Sequence, residues 1–363
     1  MIIQTLTNMS MSRNIFQQIP EDDRDNEEIV YNIVGKDGRM LLYASPRLKD
    51  NIKIVLKALE SGGNMLSYVS DRLKNNMGVA LAAVRKSPMA LEYVSERLSD
   101  NRRVVLEAVS RCGTALEFVS ERLLNDYDIV MAAVKQDGLA LVFAPDELAN
   151  NREIVLAAVS QNAESLEFAS KELRRDRDIV IAAVSQNGRA IMFASKELRS
   201  DREIVYAATK QNGWALVYAD KKELLNDREL ALLSLQSEPE VIEYVGDELR
   251  NDLEIAMLVV GQRGFHLSNL SEEMRDNEEV VRRAIENDPY NAISYTSDRL
   301  RDKVDILKLC MELTGYGVEF FATDRFMETL KGISDDNTLT WKERLDIFVK
   351  FHRAKSAKMS HRH

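Results

Sequence analysis

Residues 173–197 read LRRDRDIVIAAVSQNGRAIMFASKE, and residues 198–223 repeat them as LRSDREIVYAATKQNGWALVYADKKE. Residues 148–172, LANNREIVLAAVSQNAESLEFASKE, have the same pattern, so the period is 25 residues. Repetition at such a period indicates a stack of small structural units. Twelve units cover residues 23–325, two of them with a single-residue insertion. They begin at Asp23, Leu48, Leu73, Leu98, Leu123, Leu148, Leu173, Leu198, Leu224, Leu249, Met274 and Leu300.

The first half of each unit has the features of an α-helix. Position 4 is Asn or Asp in eleven of the twelve units, with Lys303 the exception. A short side-chain oxygen before an apolar run is typical of a helix N-cap. Position 6 is Asp or Glu in nine units, where a carboxylate meets the positive end of the helix dipole. The apolar residues that follow, such as Ile179, Val180 and Ala183, predict a helix with close neighbours on two sides.

The second half of each unit predicts a shorter helix. Position 16 is Gly in eight units and Pro in three. We expect this position to end the first helix, because Gly accepts the left-handed conformation and Pro lacks the N–H group that would continue the helix. An aromatic residue recurs at position 21, and a stacked ladder in the core is the simplest interpretation. Its members are Tyr43, Tyr68, Tyr93, Phe118, Phe143, Phe168, Phe193, Tyr218, Tyr244 and Phe320.

No single unit can bury its own apolar faces, so the units must stack. The sequence therefore predicts an all-α fold, a right-handed α-solenoid of about twelve 25-residue two-helix repeats with terminal caps. Residues 1–22 are interpreted as an N-terminal cap or half repeat, and residues 326–352 as C-terminal capping helices. Thr340 and Glu343 have the spacing of a capping box at the start of the last helix. Residues 353–363 form a basic tail.

Composition narrows the function classes. The 363 residues carry a formal net charge of −10, which disfavours a general nucleic-acid binder. Two Cys exclude a disulfide framework, and no apolar run is long enough to span a membrane. The first residues lack the pattern of a secretory signal. We expect a soluble, acidic protein of a reducing compartment, either the cytoplasm or, for an effector, the host cytosol.

The repeated phrase DREIVLAAVxQNGxALEFASxEL is nearly verbatim at Asp176–Leu198 and Asp201–Leu224. It resembles an uncharacterised helical tandem-repeat family of bacteria, protists and large viruses, in which two such units form one domain of unknown function. The resemblance implies a helical-repeat scaffold and, in bacteria, a candidate host-directed effector. It supplies no catalytic residues. In shape, the predicted alternation of helices is loosely similar to the leucine-rich-variant solenoids.

The sequence offers little for catalysis. Cys310 falls in an Ala column of the core, and Cys112 has no His partner at a repeat-consistent spacing. His266 stands alone, and His361 and His363 have no accompanying carboxylate or Cys. No phosphate-binding, dinucleotide-binding or zinc-protease motif is present. We therefore predict a protein that is not an enzyme, with no catalytic residues, metal, cofactor or small-molecule substrate.

Positions 17 and 20 of the unit lie on the second helix, away from its core columns, and are the candidate partner-binding surface. Several units have Glu there, but others become apolar or aromatic, as interface cores do. The alternative is that the divergent C-terminal units bury these rings in their own loops. The candidate residues are Leu139, Val142, Arg189, Met192, Trp214, Val217, Phe265, Tyr290 and Tyr316.

A series of arginines at the unit starts is the second candidate. It could meet an extended phosphate backbone, but nearby acids favour a ladder of salt bridges between repeats. The series is Arg174, Arg175, Arg177, Arg199, Arg202, Arg250, Arg275 and Arg301. Our leading hypothesis is a non-enzymatic scaffold that binds another protein. The alternatives are a structural subunit of a large assembly and a nucleic-acid-backbone binder that uses this series.

Overall fold

A computed structural model describes residues 24–333 and 339–360, with side chains as far as Phe351. Every regular element among these residues is helical, which confirms the all-α prediction. The predicted N-terminal cap at residues 1–22 lies outside the described residues, as do His361 and His363.

Each repeat except the last contains three helical elements rather than the predicted two: a long α-helix, a helix that begins at position 16, and a short connecting turn that leads into the next long helix. In the last repeat the second helix, Val318–Phe320, begins at position 19. The long α-helices are Glu27–Lys36, Ile52–Leu59, Met77–Lys86, Arg102–Val109, Tyr127–Gln136, Arg152–Gln161, Arg177–Gln186, Arg202–Gln211, Arg228–Ser237, Leu253–Gln262, Glu278–Asn287 and Val304–Thr314. The second helices are the 3₁₀ helices Gly38–Tyr43, Gly63–Tyr68, Pro88–Tyr93, Gly113–Phe118, Gly138–Phe143, Ala163–Phe168, Gly188–Phe193, Gly213–Tyr218, Pro239–Glu243, Gly264–Asn269 and Val318–Phe320, and the α-helix Pro289–Tyr295. The connecting turns are Pro46–Lys49, Asp71–Lys74, Glu96–Ser99, Glu121–Leu124, Asp146–Ala149, Leu173–Arg175, Lys196–Arg199, Lys222–Leu225, Asp247–Arg250, Glu272–Arg275 and Asp298–Arg301.

The chain divides into two compact units, residues 1–198 and residues 199–363. Within each unit, long helices pack on the long helices of adjacent repeats, and the second helices pack on one another in the same order. Each unit is therefore a stack of repeats, which is the architecture of an all-α solenoid.

The predicted N-caps are confirmed in all eleven repeats that have Asn or Asp at position 4. Asn151, for example, accepts hydrogen bonds from the backbone N–H groups of Glu153 and Ile154 at 3.1 and 3.2 Å. Lys303 makes no such bond. The apolar columns that follow the caps are fully buried in both units, as at Ile154 and Ile255.

Most glycines at position 16 serve a different purpose from the predicted one. The prediction is correct at Gly315, which ends the helix Val304–Thr314 in the left-handed conformation with a φ of 75°. The other position-16 glycines of the described residues do not adopt that conformation. Instead the backbone there approaches the long helix of the next repeat. A β-carbon on Gly138 would lie closer than 3.0 Å to the Ala158 carbonyl oxygen. Gly38, Gly63, Gly113, Gly213 and Gly264 meet the same obstacle. Glycine is thus required for close packing between repeats.

A glutamine at position 14 joins consecutive repeats. The repeat pattern alone does not indicate this role. The Gln161 side chain accepts a hydrogen bond from the Gly138 N–H at 2.6 Å. Its amide also donates to the Gln136 carbonyl oxygen at 3.5 Å, at the end of the preceding long helix. Gln136 likewise accepts from the Gly113 N–H at 2.5 Å. This side chain therefore satisfies backbone groups at the helix end that would otherwise lack partners.

The connecting turns are held by a second set of polar contacts. Ser70 caps the turn at Leu73 and donates a hydrogen bond to Asp50 of the same unit. Arg72 donates to both carboxylate oxygens of Asp50, at 2.9 and 3.0 Å. Related Ser and Arg contacts recur at Asp100 and Asp276. Short side chains thus order the additional element of the repeat.

The aromatic residues at position 21 are not the predicted core ladder. Most of them are half-buried, and Tyr43, Tyr244 and Phe320 are exposed. The residues that fill the core beneath this column are the aliphatic side chains at position 19, such as Leu116 and Leu216. The aromatic column therefore lies at the edge of the core, where its rings remain accessible to solvent.

The C-terminal segment has two further helices, Asp324–Ile333 and Trp341–Ser360. Thr340 and Glu343 form the predicted capping box, with reciprocal hydrogen bonds of 2.8 and 3.3 Å. The last helix includes residues 353–360 of the segment that we had interpreted as a basic tail. None of the helices in the described parts of the chain combines the length and apolar character needed to cross a membrane.

Candidate functional site

The second helix of each repeat has a buried side and an exposed side. With three residues per turn in a 3₁₀ helix, positions 17 and 20 lie above each other on one side. In Gly213–Tyr218, Ala215 and Leu216 are fully buried, whereas Trp214 and Val217 are half-buried. Asn212 fixes the start of this helix by accepting the Trp214 N–H at 3.0 Å. The predicted outward direction of positions 17 and 20 is therefore observed in this repeat.

In the second unit these positions bring aromatic rings together. Trp214 contacts Tyr244 of the next repeat edge to face, with 6.1 Å between the ring centroids. Tyr290 contacts Tyr316 of the next repeat in the same manner at 5.8 Å, and Tyr316 contacts Phe320 at 5.0 Å. We call these five residues the aromatic surface.

Most of the aromatic surface is open to solvent. The exposed fraction is 54% for Tyr290, 48% for Tyr316 and 62% for Phe320, and Tyr244 is also exposed. The two ring clusters lie along one series of helices, because each second helix from Gly213–Tyr218 to Pro289–Tyr295 packs on the next. The rings at Tyr290 and Tyr316 are therefore not buried in loops of their own repeats.

The other predicted site residues are not members of these two ring clusters. Val142 and Met192 are exposed in the first unit, as is Arg189, and Leu139 is half-buried there. In the second unit, Phe265 is half-buried against His266. Val217 is half-buried beside Trp214. All nine predicted residues thus retain some solvent exposure, and Trp214, Tyr290 and Tyr316 join ring clusters.

Tyr244 and Phe320 belong to the aromatic surface but were absent from the predicted site. The sequence had placed both in the aromatic column and hence in the core. A usable signal was present: each is an aromatic residue that follows a ring at position 17 of its own repeat or the preceding one. Adjacent repeats stack, so such residues meet.

His266 is an unusual core residue in the same unit. It is fully buried at position 18, where the preceding repeat has Val241. Its Nδ1 lies 3.3 Å from Asn269 Oδ1, and its Nε2 is buried with no hydrogen-bond partner among the described residues. Burial lowers the pKa of the imidazole, and this effect outweighs the hydrogen bond to Asn269. The burial of His266 was not expected from the sequence, where it was noted only as a histidine standing alone.

The predicted salt-bridge ladder is present and occupies part of the Arg series. Arg202 contacts Asp227 at 2.7 Å and Glu229 at 2.6 Å in the next repeat. Arg152, at the same position of an earlier repeat, contacts Asp176 at 2.9 Å and Asp178 at 2.7 Å.

Other arginines of the series bind within the fold. Arg175 pairs with Glu197 at 3.7 Å and Arg199 with Asp220 at 3.5 Å. Arg250 and Arg301 donate to the carbonyl oxygens of Val245 and Phe321 at 3.0 and 2.6 Å. Arg174 and Arg275 are half-buried, and Arg177 also interacts. These contacts leave the series less available to phosphates than its sequence spacing suggested.

The two thiols lie in different environments. Cys310 is buried, and burial raises its pKa to about 12. Cys112 is half-buried, 3.9 Å from the Met89 sulfur. Among the described residues, no group of three or more His, Cys, Asp or Glu side chains is arranged to hold a metal ion. The prediction that this protein is not an enzyme stays a prediction.

The fold and its surfaces define a tandem-repeat α-solenoid. The chain belongs to the family described as a domain of unknown function, DUF4116, which confirms the resemblance seen in the repeated phrase. The family model matches eight overlapping segments, each spanning two successive repeats. They are residues 26–74, 51–99, 76–124, 101–149, 126–174, 176–225, 227–275 and 252–301. No curated protein and no solved structure matches the chain.

Proposed function

We propose that this protein is a non-enzymatic scaffold that binds another protein through the aromatic surface of its second unit. The observation that supports this is the exposure of clustered rings at Tyr290, Tyr316 and Phe320. Aromatic side chains are enriched in the cores of protein interfaces, because they bury a large area at a low entropic cost. Contiguous exposed apolar patches likewise mark interaction sites.

The repeat itself does not require these rings. Positions 17 and 20 are Glu164 and Glu167 in one repeat of the first unit, and that repeat has the same buried core columns as the others. Ring side chains such as Trp214 or Tyr316 are therefore not required for the repeats to stack. A binding role explains their presence at exposed positions.

Affinity capture from source-cell lysate tests the proposal. Three full-length baits are compared: wild type, a ring variant (Tyr290→Ser with Tyr316→Ser), and a control (Val142→Ser with Met192→Ser). The control removes two exposed apolar side chains from the first unit. We expect wild type and the control to capture one protein that the ring variant loses, with equal thermal melting by circular dichroism.

Four results would contradict the proposal. The ring variant could capture the same protein in the same amount, or the control alone could lose it, which would place the binding surface in the first unit. An early-melting ring variant would show that the rings stabilise the fold. A wild-type protein that purifies only together with neighbouring subunits would instead favour the structural-subunit alternative.

A further inference from the structure

We infer that the aromatic surface recognises an extended, basic segment of its partner, with an Arg or Lys side chain at each of the two ring clusters. This inference rests on the proposed function and specifies the chemistry of the partner.

Acidic side chains predominate on the second helices of the second unit. These helices contain three carboxylates, Glu240, Glu243 and Glu319, and no Lys or Arg. Two arginines outside the helices contact this region: Arg263 pairs with Glu240 at 3.0 Å, and Arg250 donates to the Glu243 carbonyl oxygen at 3.2 Å. Glu243 and Glu319 are exposed and make no ion pair among the described residues. A cationic partner would supply the missing counter-charges.

Two of these carboxylates are neighbours of cluster rings along the chain. Glu243 precedes Tyr244, and Glu319 precedes Phe320, at positions 20 and 21 of their repeats. Each ring cluster therefore includes a ring that directly follows a carboxylate without an ion pair. The rings meet edge to face, with interplanar angles of 70° and 77°, and Tyr244, Tyr290 and Tyr316 remain exposed to solvent. The π-face of an aromatic ring carries negative charge and attracts Lys and Arg.

The first unit shows what this arrangement adds. Glu117 and Phe118 also occupy positions 20 and 21, but position 17 of that repeat is Thr114. The same holds for Glu167 and Phe168, where position 17 is Glu164. Carboxylates next to a ring thus recur along the chain, whereas the additional ring that completes a cluster occurs in the second unit.

The spacing of the two clusters specifies the shape of the partner. Three repeats separate Trp214 from Tyr290, which corresponds to about 24–30 Å when helix layers lie about 8–10 Å apart. An extended chain covers this distance in about eight residues. The partner segment is therefore expected to be extended, with its two cationic side chains about eight residues apart.

Fluorescence anisotropy with synthetic peptides tests the inference on the full-length protein. The first probe is a Gly-Ser peptide with two Arg about eight residues apart. The second replaces both Arg by Gln, and the third places its two Arg next to each other. We expect the first probe to bind most tightly, with about two- to fivefold lost for each cation–ring contact removed. Its affinity should also fall as salt is added.

Two variants identify the groups responsible. Tyr316→Leu keeps the apolar area but removes the ring, and Glu319→Gln removes the charge. Both are expected to weaken the first probe. Glu117→Gln, the matched control in the first unit, should leave binding unchanged. Because Tyr316 and Glu319 are exposed, these substitutions should not alter thermal melting.

Several outcomes would overturn the inference. Equal affinity for the Arg and Gln peptides, or full binding by Tyr316→Leu, would mean that the surface recognises an apolar segment. Concentration-dependent dimerisation that is abolished by Tyr316→Leu would assign the surface to a second copy of this chain. The Arg peptide could bind no more tightly than the Gln peptide while the ring variant still loses its captured partner. In that case the basic-segment inference is wrong and the proposed function stands.

Discussion

The two units of this protein share one core and differ at one surface. In both, Asn or Asp caps the long helix, and the next residues of that helix fill the core with Ile, Val and Ala. In both, arginines of one repeat bind acids of the next, as at Arg152 and Arg228. At positions 17 and 20, however, the first unit has Glu in several repeats, and the second has the rings of the aromatic surface.

This difference separates the residues that build the repeat from those free to acquire a function. Core and cap positions tolerate little change, because each is constrained by the neighbouring repeats on both sides. Positions 17 and 20 face solvent and accept Glu, Met, Val or Trp without a change in the helix. A large apolar side chain at such a position is therefore more informative about binding than an equally large one in the core.

The largest expected effect tests the shared core. Gly138→Ala and Gly264→Ala each place a β-carbon against a backbone carbonyl oxygen of the next repeat, which cannot move without shifting its helix. We expect each to destabilise its own unit by about 3 kcal/mol. Hydrogen exchange of peptides from the affected repeats measures this cost.

Gly332→Ala is the matched control, because no atom lies within 4 Å of the β-carbon it would add. It lies in the helix Asp324–Ile333, where Ala is favoured over Gly by about 1 kcal/mol. If Gly264→Ala were tolerated as well as this control, the second unit would not share the close packing of the first.

A smaller effect is expected at His266, a core residue that distinguishes the second unit. His266→Val removes a buried nitrogen that lacks a partner and restores the residue type of Val241. We expect a gain of about 1 kcal/mol at neutral pH, since an unsatisfied buried polar group is costly. Chemical denaturation, monitored by a signal from the second unit, measures the gain in the free energy of unfolding.

The pH dependence sharpens this prediction. Because burial lowers the pKa of His266 in the folded state, the fold favours the neutral imidazole. The contribution of the neutral imidazole to the free energy of unfolding is fully present above the unfolded pKa of about 6.5. It falls as the pH decreases below that value. Wild type should therefore lose stability between neutral pH and about pH 5.5, and His266→Val should lose less. An equal loss in both proteins would contradict the assignment to this residue.

The elements that could be predicted from sequence are those whose causes are local. A cap at Asn151 depends on the next three residues, so the periodic pattern was sufficient. The glycine at position 16 was found, but the predicted left-handed conformation occurs only at Gly315 among the described residues. At most other repeats the glycine is needed because of a carbonyl oxygen of the next repeat, which the pattern within one repeat does not show. Gln161 was overlooked for the same reason: the groups it binds belong to the preceding repeat.

The candidate site was partly predictable in the same way. Trp214, Tyr290 and Tyr316 were recognised because they break the consensus at a solvent-facing position. Tyr244 and Phe320 follow the consensus and were therefore placed in the core. Whether an aromatic side chain at position 21 is covered depends on how far it projects beyond the aliphatic residues of adjacent repeats. That distance is set by packing between repeats, which the pattern within one repeat does not specify.

The smallest expected effect concerns the salt bridges that both units share. Arg152→Ala and Arg228→Ala remove equivalent inter-repeat contacts, to Asp176 and Asp252 respectively. The arginine side chains are 48% exposed in both pairs, so solvent screens the contacts, and each substitution should destabilise its unit by only about 0.5 kcal/mol at neutral pH and moderate salt. Arg103→Ala is the control, because Arg103 is exposed and makes no ion pair among the described residues. Hydrogen exchange of peptides from the two units measures the loss of stability caused by each substitution.

Acid should remove this contribution. The hydrogen bond from Arg152 lowers the pKa of Asp176, and the hydrogen bond from Arg228 does the same for Asp252. The stabilisation is therefore present above the unfolded Asp pKa of about 3.9 and is lost as the pH falls through the lower, folded values. The difference between wild type and either variant should shrink below about pH 4. A difference that persisted there, or appeared in one unit alone, would show that these arginines stabilise the repeats by packing rather than by charge.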